Sequence, residues 1–595
     1  MFPTICAAFL STTDRSPERI AVRHRRDSES PEWTTVTWAE YRRAAEAVAA
    51  GLAACGVRPG TRVAILSATR WKWAVADMAI MGLGAVTVPI YQNSSADDLA
   101  LILGNSGSEI LFCENRAAVD RYLPLADVCA SVRVVVLMEG EASGPAISWS
   151  DLIDRGAASI AAQPDLYRNA VARLATTDIA TIVYTSGTTG LPKGAVLTHA
   201  QLMSAFVDVH ELHLSPDDVS LTFLPFAHIA GRVEHFAHVY VGYCMGVASS
   251  IEQLRQHFLE VRPTFMAAVP RLFEKVYDAA SARAASTRAG QAIFTWAVGV
   301  AETVSDEQAA GRSLAPWLAI KRRLAKRLVF DRITRGLGGR LRFALSGGAP
   351  LSLDLLRFFH GAGVIIFEGY GLTETTAAIT MNSTSGYRFG TVGRAIGDVE
   401  IRIADDGEIF VKSGQVMQRY CDNPEATDAV LSSDGWFATG DMGTLDDGYL
   451  RITDRKKDLI KTAGGKYVAP QKLENLVKLS RYVSNVLVHG DAQRYIVALI
   501  FPAVDELNRF AREEQLDASV PEELVRHPKV RRLMEDAVAA ANARLASYET
   551  IKRFEVLPRD LTVEAGELTP SMKIRRRACD RKYVDVIRRL YDSPG

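Results

Sequence analysis

Tyr184-Thr-Ser-Gly-Thr-Thr-Gly-Leu-Pro-Lys-Gly194 is the stretch from which the rest of this chain can be read. The apolar run Ile179-Ala-Thr-Ile-Val183 before it reads as a buried strand, and Ala195-Val-Leu-Thr-His199 after it can open a helix. Three glycines, three threonines, a serine and a lysine therefore gather at a strand end. Such a loop can turn backbone N–H groups and hydroxyls toward an anion, with Lys193 adding a mobile positive charge. It is not the Walker loop G-x-x-x-x-G-K-[ST], because Pro192 stands where the second glycine belongs and Gly194 follows the lysine. The local chemistry suits a polyphosphate loop. A glycine- and threonine-rich surface turn has the same local composition.

Outward from this loop the chain alternates strands and helices. Trp33–Trp38 reads as a strand and Trp38–Cys55 as a helix stopped by Gly56. Val63–Leu66, Ala85–Pro89, Glu109–Cys113 and Arg133–Met138 read as buried strands, with a helix around Trp71–Met81. This alternation predicts parallel sheets, whose ligands collect at the carboxyl ends of the strands. Two more strand ends are polar and glycine-rich: Leu341–Leu345 leads to Ser346-Gly-Gly-Ala-Pro350, and Val364–Phe367 leads to Glu368-Gly-Tyr-Gly-Leu-Thr-Glu374. Three such loops suggest one large ligand touched from several sides. Residues 278–335, rich in Ala, Arg and Lys, read as helical.

From about residue 390 short strands and Asp-Gly turns take over, as in Glu400–Ile403, Asp405-Asp-Gly407 and Glu408–Val411. Asp454-Arg-Lys-Lys-Asp458, five charges in a row, reads as a solvated linker before a smaller α+β unit. Near the end, Lys573-Ile-Arg-Arg-Arg577 reads as an exposed cationic helix face. His228, His235 and His238 lie close together, but their spacing fits no zinc pattern; His228 suits either a pocket wall or the core.

Composition narrows the function. In 595 residues the apolar share is 48%, the charged share 23% and the formal net charge zero, an ordinary globular balance that disfavours a nucleic-acid binder. Seven scattered cysteines without a C-x-x-C pair point to reduced thiols and a cytoplasmic protein. No apolar run reaches the roughly 18 residues of a spanning helix, which leaves only peripheral membrane contact open. The serine-hydrolase elbow and the completed G-x-G-x-x-G are both missing.

Taken together, Tyr184–Gly194, Gly369–Glu374, Thr439-Gly-Asp441, Asp454–Asp458 and the late Lys573 resemble the adenylate-forming superfamily of acyl-CoA synthetases, adenylation domains and luciferases. Leu224–Ile229, Pro270–Tyr277 and Lys461–Pro470 look most like its long-chain fatty acyl-CoA synthetase branch. The resemblance implies an α/β fold. A large N-terminal domain of stacked α/β subdomains with a small β-barrel-like subdomain would span 1–454, and a smaller mobile α+β domain 455–595. It implies a ligase using ATP, Mg2+ and CoA: a fatty acid and ATP give acyl-AMP and pyrophosphate, then CoA displaces AMP.

The resemblance also distributes roles. Thr185, Ser186, Gly187, Thr188, Thr189, Gly190 and Lys193 would hold the β- and γ-phosphates. Gly347, Gly348 and Ala349 would pass close to adenine, with Tyr370 stacked on it within Glu368-Gly369-Tyr370-Gly371. Thr373 would bond the α-phosphate, Asp441 the ribose hydroxyls and Arg455 the ribose or phosphate. Glu374 and Thr185 would hold Mg2+. Lys573, Glu374, Thr185, Lys193 and His228 would carry catalysis, Lys573 by bridging carboxylate and α-phosphate. Lys457 falls at a hinge that swings the C-terminal domain, withdrawing Lys573 and presenting Gly464 and Gly465 for thioester formation.

Phe223, Phe226, Phe236, Tyr240, Tyr243 and Met245 offer acyl-pocket surface but are equally core residues. The basic run 573–577 could meet CoA phosphates or an anionic membrane. Two alternatives share these motifs: a fatty acyl-AMP ligase loading a carrier protein, and a non-catalytic nucleotide- or acyl-binding protein. Retention of both Glu374 and Lys573 argues against the second.

Overall fold

The computed structural model describes residues 2–25, 32–142, 144–185, 191–516 and 520–592. The chain is α/β, with two large sheets before Arg455 and a small three-stranded sheet after it.

The first large sheet has a parallel centre of Val86–Ile90, Arg62–Leu66, Ile110–Cys113 and Val134–Leu137. These strands are short continuous apolar runs, as expected where helices cover both faces. The helix Trp38–Ala54 begins in a capping box between Thr37 and Glu40. Ile179–Thr185 pairs parallel with Val86–Ile90, so the phosphate-loop candidate leaves from a carboxyl strand end.

The residues after that loop do not open a helix at once. Lys193–Thr198 is a strand antiparallel to Ile179–Thr185, and Thr185 stands opposite Lys193. The run Ala195-Val-Leu is fully buried between two strands, which extended backbone satisfies and a helix end would not. The helix starts at His199, where Thr198 and Gln201 form a capping box.

The second large sheet is parallel in one half, apart from the antiparallel edge strand Trp33–Thr37, and antiparallel in the other, and Ile365–Leu372 is the seam. Its first half, Ile365 to Glu368, pairs parallel with Phe343–Ser346; its second half, Gly369 to Leu372, pairs antiparallel with Ala377–Met381. Glu368–Leu372 is therefore strand, where the sequence suggested a loop. Gly371 explains the misreading: a glycine reads as a turn, yet here it permits close pairing, since a Cβ would lie 1.6 Å from the Ala377 carbonyl oxygen. The hairpins after residue 390 form the antiparallel end of this sheet. Residues 278–335 are helical as expected, in Pro270–Ala284, Arg288–Ala309, Pro316–Ala325 and Asp331–Gly336.

Beyond Arg455, the strands Val483–His489, Ile496–Pro502 and Ile551–Val556 pack on Pro470–Val477 and Pro528–Asn542 around their own apolar core. Among the described residues no helix is long and apolar enough to cross a membrane.

Candidate active site

The parallel-to-antiparallel seam puts the motif side chains into one cleft. Tyr370 donates its phenolic O–H to Asp441 Oδ2 at 2.7 Å, and Arg455 Nε lies 3.2 Å from Asp441 Oδ1. Asp441 and Arg455 are themselves cross-strand partners on Phe437–Asp446 and Tyr449–Arg455. Burial pushes the Asp441 carboxyl up, while Arg455, Tyr370 and Lys573 hold it down. Each of its oxygens retains a further lone pair for an incoming hydroxyl.

Glu368 is buried, and burial raises its carboxyl to about 7 against the Leu351 backbone amide. The glycine-rich turn Ser346–Pro350 faces the same seam: a Cβ on Gly347 would lie 3.4 Å from the Gly369 carbonyl oxygen. Gly348, at φ +80°, and Ala349 are exposed beside it.

Glu374 follows Thr373 in a single helical turn, Thr373–Thr375, directly after the seam strand. The next two residues, Thr376 and Ala377, hold positive φ angles of 51° and 72°. Side-chain residues occupy that region only when their surroundings impose it, and such strain gathers at functional sites. Here the Thr376 hydroxyl is fixed by the Gln415 carbonyl at 2.7 Å. The Glu374 carboxylate accepts a 2.7 Å hydrogen bond from Tyr420, and its carbonyl accepts the Met417 amide at 2.7 Å. Lys193 Nζ lies 5.1 Å above the Tyr420 ring. Tyr420 thus ties the metal candidate to the phosphate-loop lysine, and sequence reading missed it: nothing in its own neighbourhood announces a contact 46 positions away.

Thr185 ends its strand with its hydroxyl 3.5 Å from the Lys193 carbonyl oxygen. Ser186, Gly187, Thr188, Thr189 and Gly190 lie outside the described residues. For Mg2+, Glu374 supplies a half-buried carboxylate of which one oxygen is bonded to Tyr420, leaving oxygen lone pairs of the kind this cation prefers.

Lys573 reaches this cleft from the C-terminal region. Its side chain is open to solvent along the cleft, yet the walls enclose it enough to push its ammonium below the ordinary value. Burial leads that shift and Arg455 adds to it, while Asp441 and Glu374 pull back. His228 stands within electrostatic reach; burial and the Lys573 charge lower it to about 4, so it is neutral at physiological pH. Its Nδ1 accepts the Ala230 amide at 3.1 Å, capping Ile229–Val241.

The basic run 573–577 is not an exposed cationic face. Arg575 pairs with Asp98 at 3.0 Å, and Arg576 forms two bonds to Glu474, at 2.8 and 3.0 Å. The Asn93 side chain donates to the Pro570 carbonyl at 3.3 Å on the same approach. Lys573 is thereby delivered by its neighbours.

The linker is not uniformly solvated either. Lys456 lies between Asp406 and Glu408 at 2.6 and 2.5 Å, whereas Lys457 is exposed in the following turn. Gly464 and Gly465 occupy an exposed turn between Ile460–Lys461 and Tyr467–Val468.

The three histidines do not converge. His235 lies 3.5 Å from Asp77 and 2.9 Å from the Tyr41 hydroxyl, and His238 bonds the Tyr243 carbonyl at 2.7 Å. Phe226, Phe236, Tyr243 and Met245 are buried in the apolar cores.

Models of two protein families match the chain: "AMP-binding enzyme" over residues 9–421 and "AMP-binding enzyme C-terminal domain" over 457–594. The chain is 39% identical over 569 residues to the long-chain-fatty-acid–CoA ligase FadD15 of Mycobacterium bovis, covering 94% of this chain and 93% of that protein. Human long-chain-fatty-acid–CoA ligase 1 is 30% identical, over 93% and 82% of the two chains. The adenylation domain of a carboxylate reductase from Mycobacterium chelonae shares the fold with a TM-score of 0.75 at 23% identity, over 99% and 91% of the chains. O-succinylbenzoate coenzyme A synthetase from Bacillus subtilis, in complex with ATP and magnesium, does so at 0.66 and 24%, over 96% and 98%.

Proposed function

The chain belongs to the AMP-binding enzyme family, and from that premise we propose that the cleft joining Lys573, Asp441, Glu374 and Lys193 carries out the adenylation step. The protein is a long-chain fatty acid–CoA ligase, AMP-forming, acting on a fatty acid, ATP and CoA. In the first half-reaction a carboxylate oxygen attacks the α-phosphorus, forming acyl-AMP and expelling pyrophosphate. In the second the CoA sulfur attacks the acyl carbon and AMP leaves.

The first step brings two anions together, so the site must supply positive charge and fixed donors more than a base; the acid is already ionised at neutral pH. Lys573 is the residue suited to bridge the carboxylate and the α-phosphate, because its ammonium sits in electrostatic reach of both Asp441 and Glu374. Lys193, held over Tyr420 at the phosphate-loop strand end, restrains the leaving pyrophosphate. Asp441 takes the ribose hydroxyls, while its bond to Tyr370 fixes the ring that stacks on adenine. Gly347, Gly348 and Ala349 line the adenine edge, and Thr373 faces the α-phosphate. Glu374 and Thr185 would hold Mg2+, which when bound neutralises phosphate charge. Neutral His228 adds a polar wall without repelling Lys573.

We place the boundary between 1–454 and 455–595, with the hinge at Lys457; the clamp on Lys456 and the exposure of Lys457 support that position. Rotation there would withdraw Lys573 and bring the Gly464–Gly465 turn toward the thioester-forming site.

The observation that carries this reading is the anchoring of the Lys573 loop at the cleft by Arg575–Asp98 and Asn93–Pro570, which leaves Lys573 within electrostatic reach of Asp441, Arg455 and Glu374. The test is pyrophosphate release across fatty acids of two to twenty carbons and aromatic acids, with and without CoA. Release with long-chain acids and stoichiometric acyl-CoA formation is expected. Acyl-AMP accumulation without CoA consumption would contradict the thioester step and favour a carrier-loading ligase.

A further inference from the structure

The helix Pro316–Ala325 and the turn Lys326–Phe330 that continues it have two unlike sides. Leu318, Ala325, Val329 and Phe330 pack inward, into the core shared with Arg288–Ala309 and Leu353–Ala362. The other side leaves Trp317 56%, Ile320 67%, Leu324 50% and Leu328 37% exposed. These positions are three and four residues apart, so they form one continuous apolar stripe. Single exposed apolar residues are ordinary, whereas a contiguous group rimmed by charge marks an interaction surface.

The rim is strongly positive. Between 316 and 335 the sequence has seven basic residues, at 321, 322, 323, 326, 327, 332 and 335, against one acid, Asp331, in a chain of zero formal net charge. Asp331 already pairs with Arg335. Among the described residues, Lys321, Arg323, Lys326 and Arg327 have no carboxylate partner. Lys321 Nζ instead lies 4.9 Å over the Trp317 ring. This surplus is not needed to hold the fold.

We propose that the stripe Trp317–Leu328 docks the protein on an anionic lipid surface. The apolar side chains enter the acyl boundary, Trp317 sits at headgroup depth, and the flanking lysines and arginines meet lipid phosphates. A second copy of this chain is a poor partner, because stripe-to-stripe contact would oppose two positive rims. A nucleic acid would satisfy the cations but not the apolar centre. An anionic bilayer satisfies both. The docking is separate from the chemistry of the cleft and extends beyond it.

The full chain is sedimented with vesicles of equimolar dioleoylphosphatidylglycerol and dioleoylphosphatidylcholine, and with pure dioleoylphosphatidylcholine. Binding to the anionic vesicles, weakened by salt, is expected to exceed binding to the neutral ones by about tenfold. The double variant I320D/L324D should lose at least about tenfold in partitioning, and K326Q/R327Q a comparable share. All four positions are exposed, so both variants should keep the wild-type circular dichroism and detergent-supported pyrophosphate release. Quenching by brominated lipid should fall in W317F. The proposal is overturned if the wild type ignores anionic vesicles, if both variants partition like it, or if they change only oligomeric state or nucleic-acid binding.

Discussion

Arg575 and Asp98, 477 positions apart, meet at 3.0 Å. Arg575 stands two residues after Lys573, and Asp98 lies in the first turn of the helix Ala96–Ser106. The pair therefore clamps the Lys573 loop to the body that holds the rest of the cleft. Beside it the Asn93–Pro570 bond does the same through the backbone. On the far side Arg544 pairs with Asp354 at 2.9 Å. Among the described residues these polar contacts are few and of a kind that can be exchanged, as the hinge proposed at Lys457 would require.

Asp98→Ala should slow acyl-AMP formation by about 3- to 10-fold, the effect of losing roughly 1 kcal/mol from a partly exposed ion pair. Thioester formation from supplied acyl-AMP should be unchanged or faster. The charge reversal Asp98→Arg with Arg575→Asp should recover much of the loss. Equal slowing of both half-reactions would mean that the pair merely supports the fold.

Tyr420→Phe removes the donor from the Glu374 carboxylate but keeps the ring beneath Lys193. Hydrogen bonds to charged groups contribute about 1.5–3 kcal/mol, so adenylation should fall by roughly tenfold or more. A Mg2+ titration of pyrophosphate release should need several-fold more metal for half-maximal rate. An unchanged titration would detach Tyr420 from the metal site.

The lowered Lys573 ammonium sets an alkaline limit. The bridging role needs the charged form, which is complete below its pKa and lost as pH rises through it. The adenylation rate should therefore decline with an apparent pKa below lysine's ordinary value of about 10.4. Asp441 pulls that pKa up and Arg455 pushes it down. Asp441→Asn should move the decline to lower pH and Arg455→Ala to higher pH, read from pH–rate profiles of pyrophosphate release. A decline that stays fixed in both would place the titrating group elsewhere.

Arg232 and Asp77 are both fully buried and lie 3.0 Å apart, with Thr87 also donating to Asp77 at 2.8 Å. Arg232→Met would strand the Asp77 charge, a loss of about 3–5 kcal/mol. A markedly lower midpoint of thermal unfolding is expected, restored in part by adding Asp77→Asn. An unshifted midpoint would show that the pair does not compensate itself.

What could be read in advance depended on how local the cause was. The strands Arg62–Leu66 to Val134–Leu137 are continuous apolar runs, and their parallel sense follows from the alternation with helices. The residues the cleft gathers from Gly369–Glu374, Asp441, Arg455 and Lys573 were visible as motifs. Gly371 misled, because a glycine that permits close strand pairing is locally indistinguishable from one that makes a turn. Lys193–Thr198 misled because burial from both sides, invisible in sequence, decided for strand. Tyr420 and Asp98 were unreadable, since their meaning lies in partners 46 and 477 positions away. The basic run at 573–577 looked like surface for the same reason: its acids, Glu474 and Asp98, are remote in sequence.

The central claim is that Lys573 serves adenylation alone, in the orientation seen here. The most direct measurement is to assay the two half-reactions of Lys573→Ala separately. ATP-dependent pyrophosphate release should fall by about 100-fold or more, as for loss of a charge aimed at the reacting centre. Conversion of supplied acyl-AMP and CoA to acyl-CoA should proceed near the wild-type rate. Equal losses in both half-reactions, or retained pyrophosphate release, would contradict it.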